Sequence, residues 1–190
     1  MTYTGRLIRS GAPTLHVRRA VDEPHTIRDN PDMMQRLHDA EGAVNSGGIA
    51  ALLGNRGSGK TQVAVCIMAN YLATERGSVR YTTACEMFQF ITETYGGKQS
   101  TTWATDAFMR PALLVIDDCH ERRDTQNEDQ ILTQIIDHRY RHERGTLLIS
   151  NQRPDAFTRS MGPSITSRIW ERGVVIQLPD VDFRWCLKVT

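Results

Sequence analysis

Apolar positions along the chain gather into short runs, separated by stretches in which they recur every third or fourth residue. Ile49–Leu53, Ala112–Ile116, Thr146–Ile149 and Val174–Leu178 are such runs, each bounded by glycine, proline or polar residues, as strands buried on both faces are. Ser78–Thr82, opening after Arg76-Gly77, is the fifth strand candidate. Between the first two strands, Gln62–Glu75 contains no Gly or Pro and sets Val63, Ile67 and Tyr71, and Ala64, Met68 and Leu72, at helical spacing. Asn30-Pro31 reads as a helix cap and first turn for a helix to about Val44. Thr83 and Glu86 form a capping box for a helix from Ala84 to about Tyr95. Thr101–Met109 is a short helix or loop, Asp124–Glu128 a polar loop, Asp129–His142 a helix and Ser164–Glu171 a short helix. Strands alternating with helices predict an α/β protein with a five-stranded parallel sheet covered on both faces.

The first 30 residues fit this alternation least. Gly5–Ser10 and Thr14–Val21, on either side of Gly11-Ala12-Pro13, read as a small hairpin. Arg6, Arg9, Arg18, Arg19 and Arg28 against Asp22, Glu23 and Asp29 make the segment a solvated arm first, and a docking arm for a partner or for phosphates second. We therefore divide the chain into an arm, residues 1–30, and a core, residues 31–190.

Chemistry enters where the first apolar run ends. Gly54-Asn55-Arg56-Gly57-Ser58-Gly59-Lys60-Thr61 fits the G-x-x-x-x-G-K-[ST] phosphate-binding loop. Glycines let backbone N–H groups close on a polyphosphate, and the following helix adds its positive end. Lys60 has the reach for β- and γ-phosphates, and the Thr61 hydroxyl suits Mg²⁺, so ATP and Mg²⁺ are the expected cofactors. Strand, loop and helix follow in the confirming order. The run Ala112–Ile116 ends in Asp117-Asp118, acids at a strand's carboxyl end, where open α/β sheets bind ligands. Asp117 is placed for the metal and Asp118 for a general base acting on water. Asn151 ends the next strand, where an amide reaches a γ-phosphate or orients the water, or simply forms a turn. His120 reads as a surface residue rather than a ligand.

Composition changes this picture little. The 190 residues carry 39% hydrophobic and 24% charged residues and a net charge of +1, values of an ordinary globular protein that give no general pull toward nucleic acid. Cys66, Cys85, Cys119 and Cys186 are too scattered for a zinc site or disulfide framework, which fits a reducing cytosol. No secretory signal is visible, and no apolar run is long enough to span a membrane. Arg139, Arg141, Arg144, Arg153, Arg159, Arg168 and Arg172, against Glu143, Asp155 and Glu171, form a stretch that could track a phosphate backbone or lie on a solvated face. Trp103, Trp170 and Trp185 are too scattered for a base-stacking platform, and core packing is expected of them.

Taken together, G-N-R-G-S-G-K-T, L-L-V-I-D-D and I-I-D-H-R-Y-R-H-E-R-G-T-L-L-I-S-N-Q-R-P resemble the AAA+ core of DnaC/DnaI-type helicase loaders and the similar IstB-type transposition ATPases. Arg139-Tyr140 is the most group-specific piece, and Ser167-Arg168-Ile169 and Phe183-x-Trp185 are similar to the end of that group. The resemblance covers about residues 31–185. It implies a P-loop (AAA+/ASCE) sheet with little or no helical lid after the last strand. It also implies Gly54, Gly57, Gly59, Lys60 and Thr61 on the phosphates, Asp117 on the metal, Asn151 as polar sensor, and Arg168 as arginine finger with Arg172 as alternate. The group usually has Asp-Glu where Asp117-Asp118 stands, so the shorter second carboxylate predicts slow hydrolysis. Residues 1–30 would have to replace the group's larger N-terminal partner-binding region.

The function so implied is a cytoplasmic ATPase that self-associates on ATP into a ring or helical oligomer, binds single-stranded DNA and loads a replicative ring helicase. The alternatives are a transposition helper coating duplex DNA and a monomeric P-loop small-molecule kinase. No lid insertion or acceptor-site motif supports the kinase.

Overall fold

A computed structural model describes residues 2–22, 27, 29–94, 101–121 and 126–183. Five strands, β1 (Ile49–Leu53), β2 (Val79–Thr83), β3 (Leu113–Asp117), β4 (Gly145–Ser150) and β5 (Gly173–Gln177), form one sheet in the order β2-β3-β4-β1-β5. Every pairing is parallel, as the near-continuous apolar runs predict. In register, Leu53 stands beside Ser150 on one side and Gln177 on the other, and Thr83 beside Asp117.

The pleat divides the core in two. Ala50, Leu52, Leu113, Val115, Leu147 and Ile149 face one layer, while Ile49, Ala51, Leu53, Leu114, Ile116 and Leu148 face the other. The first layer holds α1 (Tyr3–Arg9), α2 (Thr14–Asp22), α3 (Pro31–Asn45) and α4 (Lys60–Ala73). The second holds α5 (Ala84–Thr92), α6 (Thr101–Met109), α7 (Gln126–Arg141) and α8 (Pro154–Arg172). Asn30 caps α3, with its side chain accepting from the Met33 amide, and Thr83 and Glu86 complete the expected capping box on α5.

The hairpin expected near the N-terminus is instead a pair of helices, and they are not a solvated arm. Leu7 and Val17 are fully buried, Ala12 nearly so, and the Tyr3 hydroxyl donates to the Ala69 carbonyl of α4. The Gly-Ala-Pro turn is there, but it joins helices. Gly11 (φ +94°) approaches the edge strand β2 so closely that a Cβ there would lie 2.3 Å from the Tyr81 carbonyl oxygen. The Tyr81 amide donates to the Ser10 carbonyl at 2.7 Å, which covers an edge that would otherwise offer unpaired backbone. Near the other end, the short helix expected at Ser164 is the second half of a longer one. α8 breaks at Gly162 (φ +75°), before Pro163, whose ring cannot continue the first half.

Arg139, on α7, is fully buried and organises the amino end of the sheet. Its guanidinium donates to Thr146 Oγ1 at 2.9 Å, to the carbonyls of Phe108 (3.0 Å) and Pro111 (2.8 Å), and to that of Gly145. It thereby ties the end of α6 to the starts of β3 and β4. Burial pushes its pKa down to about 9, still high enough to keep the charge at neutral pH. Two of the tryptophans depart from the expected core packing: Trp170 is 73% exposed and Trp103 51%, the latter against Phe90. Trp185 lies outside the described residues.

Candidate nucleotide site

β1 delivers the glycine loop to the carboxyl edge of the sheet, and α4 starts at Lys60. Gly57 and Gly59 adopt φ of +87° and +92°, the left-handed region that a side chain disfavours. Lys60 is buried, and its Nζ donates to the carbonyls of Gly54 (2.7 Å) and Asn55 (2.8 Å). The Ser58 hydroxyl is buried with no hydrogen-bond partner among the described residues. Asn55 donates its side-chain amide to Asp180, and Arg56 faces Glu121 at 3.8 Å on the surface.

β3 brings its two acids to the same place. Thr61 Oγ1 donates to Asp117 Oδ2 at 3.0 Å, the Tyr81 hydroxyl donates to the same oxygen, and the Asp118 amide donates to Asp117 Oδ1 at 2.8 Å. Both oxygens of Asp117 are therefore aimed. Tyr81, on the neighbouring strand, stays a protonated donor because burial, and then the Asp117 charge, push its pKa up. Asp118 stands at φ +48°, a conformation that short polar side chains tolerate. Asn151, carried past the end of β4, donates its Nδ2 to Asp118 Oδ1 at 3.1 Å. Burial first, then the charges of Asp117 and Glu121, raise the Asp118 pKa, and His120 and Lys60 oppose the rise. His120 is half-buried, and its donor atoms and those of Asp118 and Glu121 lie within 4.8 Å of one another.

These residues line a cavity of about 980 Å³, large enough for a nucleotide. One wall is the loop, Asp117, Asp118 and Asn151. The other is apolar, made by Leu15, Ile27, Met33 and Phe183, and suits a purine ring. The sequence pattern did not point to this second wall, nor to Tyr81. The positive-φ glycines, the orphaned Ser58 hydroxyl and the Thr61–Asp117 pair fit a polyphosphate with a divalent cation, held by Lys60, Thr61 and Asp117.

Arg168 does not enter its own cavity. Its guanidinium lies on α7, 2.9 Å from Asp137, and donates to the Ser164 carbonyl at 2.7 Å. Arg172 pairs with Glu143 at 2.8 Å. With Arg139 buried and these two in ion pairs, the arginine-rich stretch is not a single free basic face.

A five-stranded all-parallel sheet with a glycine loop after β1, an acid at the end of β3 and an asparagine after β4 defines a P-loop ATPase fold of the AAA+ type. More particularly, the chain belongs to the family of IstB-like ATP binding proteins, whose profile matches residues 33–173. It is 28% identical over 123 residues to the uncharacterized protein YdaV of Escherichia coli strain K12, covering 65% of this chain and 49% of that protein. Among solved structures, the DnaC helicase loader superposes with a TM-score of 0.66 at 19% identity, over 79% of this chain and 92% of that one. The replication initiator DnaA bound to AMPPCP and single-stranded DNA does so with a TM-score of 0.64 at 19% identity, over 76% of this chain and 44% of that one. These likenesses show the fold. The chain spans about half the length of YdaV and less than half of the DnaA chain. No helix among the described residues is long and apolar enough to cross a membrane.

Proposed function

We propose that this chain is an ATP-dependent assembly factor that self-associates on ATP, grips single-stranded DNA and delivers a replicative ring helicase. The observation that carries the reading is the pairing of Thr61 with Asp117 and of Asn151 with Asp118 beside a buried Lys60. Residues 54–59 wrap the phosphates with backbone N–H groups, and Lys60 exchanges its two carbonyl partners for β- and γ-phosphate oxygens. Thr61 and Asp117 hold Mg²⁺, which when bound neutralises charge on the terminal phosphates. Asp118, aligned by Asn151, accepts the proton of the attacking water, and its raised pKa makes it a better base than an ordinary aspartate. Arg168 serves the ATP of a neighbouring copy, which agrees with its place outside its own cavity. A head-to-tail contact of that kind builds rings or open helices.

The DnaC and DnaA likenesses support a role in delivering a helicase to single-stranded DNA. The IstB-like profile supports a second reading, a transposition helper on duplex DNA. The test of the first is ATPase rate against protein concentration, with light scattering in a non-hydrolysable ATP analogue. Specific activity should rise with concentration, and mixing Lys60→Ala with Arg168→Ala subunits should restore part of the rate. A concentration-independent rate with no rescue overturns self-association and favours a monomeric kinase. Affinity capture with ATP present separates the two remaining readings by recovering a ring helicase or a transposase.

A further inference from the structure

Helix α2 forms part of the nucleotide cavity. Leu15, His16 and Arg19 line it, while Val17 on the opposite face of the helix is fully buried in the core. The helix is clasped to the start of α4, just after the loop it faces. His16 Nδ1 lies 2.9 Å from Gln62 Oε1, and Gln62 Nε2 donates to the His16 carbonyl at 3.2 Å. Gln62 follows Thr61 directly, so the seat of α2 is fixed to the first turn of α4.

The cations around the cavity are Arg19, Arg56 and Lys60. Arg56 faces Glu121, and Lys60 donates to the Gly54 and Asn55 carbonyls. The acids are also engaged: Asp117 by Thr61 and Tyr81, Asp118 by Asn151, Glu121 by Arg56. Arg19 is half-buried, and the structure gives it neither a hydrogen bond nor an ion pair among the described residues. A guanidinium partly withdrawn from water beside a phosphate-binding loop is completed by a phosphate oxygen, which its planar fork can grip with two N–H groups.

We propose that Arg19 is a phosphate ligand of the nucleotide bound to its own chain, and that α2 senses the nucleotide through it. The inference rests on the nucleotide reading of the cavity. Occupancy strengthens the hold on α2 from the ligand side, while the His16–Gln62 clasp holds it from the protein side. Helix α2 is then part of the ATP site.

The experiment titrates a fluorescent ATP analogue, without DNA, into wild type, Arg19→Ala and Arg19→Lys, with circular dichroism as the check on folding. It pairs this with hydrogen exchange of residues 14–22 with and without ATP. Arg19→Ala should weaken ATP by about 10- to 100-fold, the weight of a charge-assisted hydrogen bond, and Arg19→Lys should regain part of it. ATP should protect residues 14–22 in wild type and not in Arg19→Ala. Equal ATP affinity in wild type and both variants overturns the proposal and leaves the nucleotide site standing. Failure of the wild type to bind ATP sinks the nucleotide reading and this inference together.

Discussion

The two edges of the sheet each bury a cation, and they use it in opposite ways. At the amino edge, Arg139 (0% exposed) is locked by backbone carbonyls and a threonine hydroxyl drawn from three elements. At the carboxyl edge, Lys60 (6% exposed) donates to two carbonyls, both from the loop that begins its own phosphate-binding motif. Releasing Arg139 would strand acceptors in α6, in the connection to β3 and in β4. Lys60 can leave its acceptors whenever a phosphate offers better ones. The same chemistry, a buried ammonium or guanidinium among carbonyls, is a staple where its partners span elements and a poised ligand where they are local.

This contrast separates rate from stability. The largest expected effect is on rate, at the carboxyl edge: Asp118→Asn should lower ATP hydrolysis by about 10²–10⁴-fold, the usual contribution of a general base. The Asn keeps the left-handed backbone and can still accept from Asn151, so steady-state hydrolysis should fall while ATP binding in calorimetry is retained. Wild-type turnover in that variant removes the role given to Asp118.

At the amino edge, Arg139→Met should cost about 3–5 kcal/mol in urea unfolding, because several buried carbonyls lose their donor. Lys60→Ala is its counterpart. It should abolish ATP binding with an unfolding midpoint close to that of wild type. If Arg139→Met is as stable as wild type, or Lys60→Ala as unstable as Arg139→Met, the division between the edges fails.

The smallest effect is a pH dependence. Because the folded state raises the Asp118 pKa, it holds that proton more tightly than the unfolded chain does. Stability is therefore lost as pH rises from the ordinary carboxylate range through the raised value, and the ionised form at neutral pH carries the cost. Asp118→Asn should unfold at slightly higher urea than wild type at neutral pH, and the gap should close on acidification below the ordinary aspartate range. A gap that widens on acidification contradicts the raised pKa.

Most of the sheet and the phosphate side of the site were legible in the sequence, because both are written in consecutive residues. An apolar run states a buried strand, and Gly57, Gly59, Lys60 and Thr61 state a loop whose chemistry is fixed by spacing. What escaped is set by contacts between distant residues. Leu7 and Val17 sit in short stretches flanked by arginines, and only docking on α4 reveals them as core. Arg139 looks like any charged residue near the end of a helix until the carbonyls of Phe108, Pro111 and Gly145 surround it. Tyr81 reaches Asp117 across a strand pair, and His16 meets Gln62 across 46 residues. Two of the tryptophans misled because size alone suggests the interior, whereas Trp170 and Trp103 face outward.

The strand order has a consequence for how the chain is made. β1 is the first strand to be synthesised, yet its neighbours are β4 and β5, the last two. While β2 and β3 can pair as soon as both have emerged, Ile49–Leu53 must wait for residues 145–177. At about 5–20 residues per second, that delay is on the order of ten seconds on the ribosome. The phosphate-binding loop is thus encoded early and assembled late. Until β4 and β5 close around β1, the nascent chain carries an ATP motif that has no site to belong to.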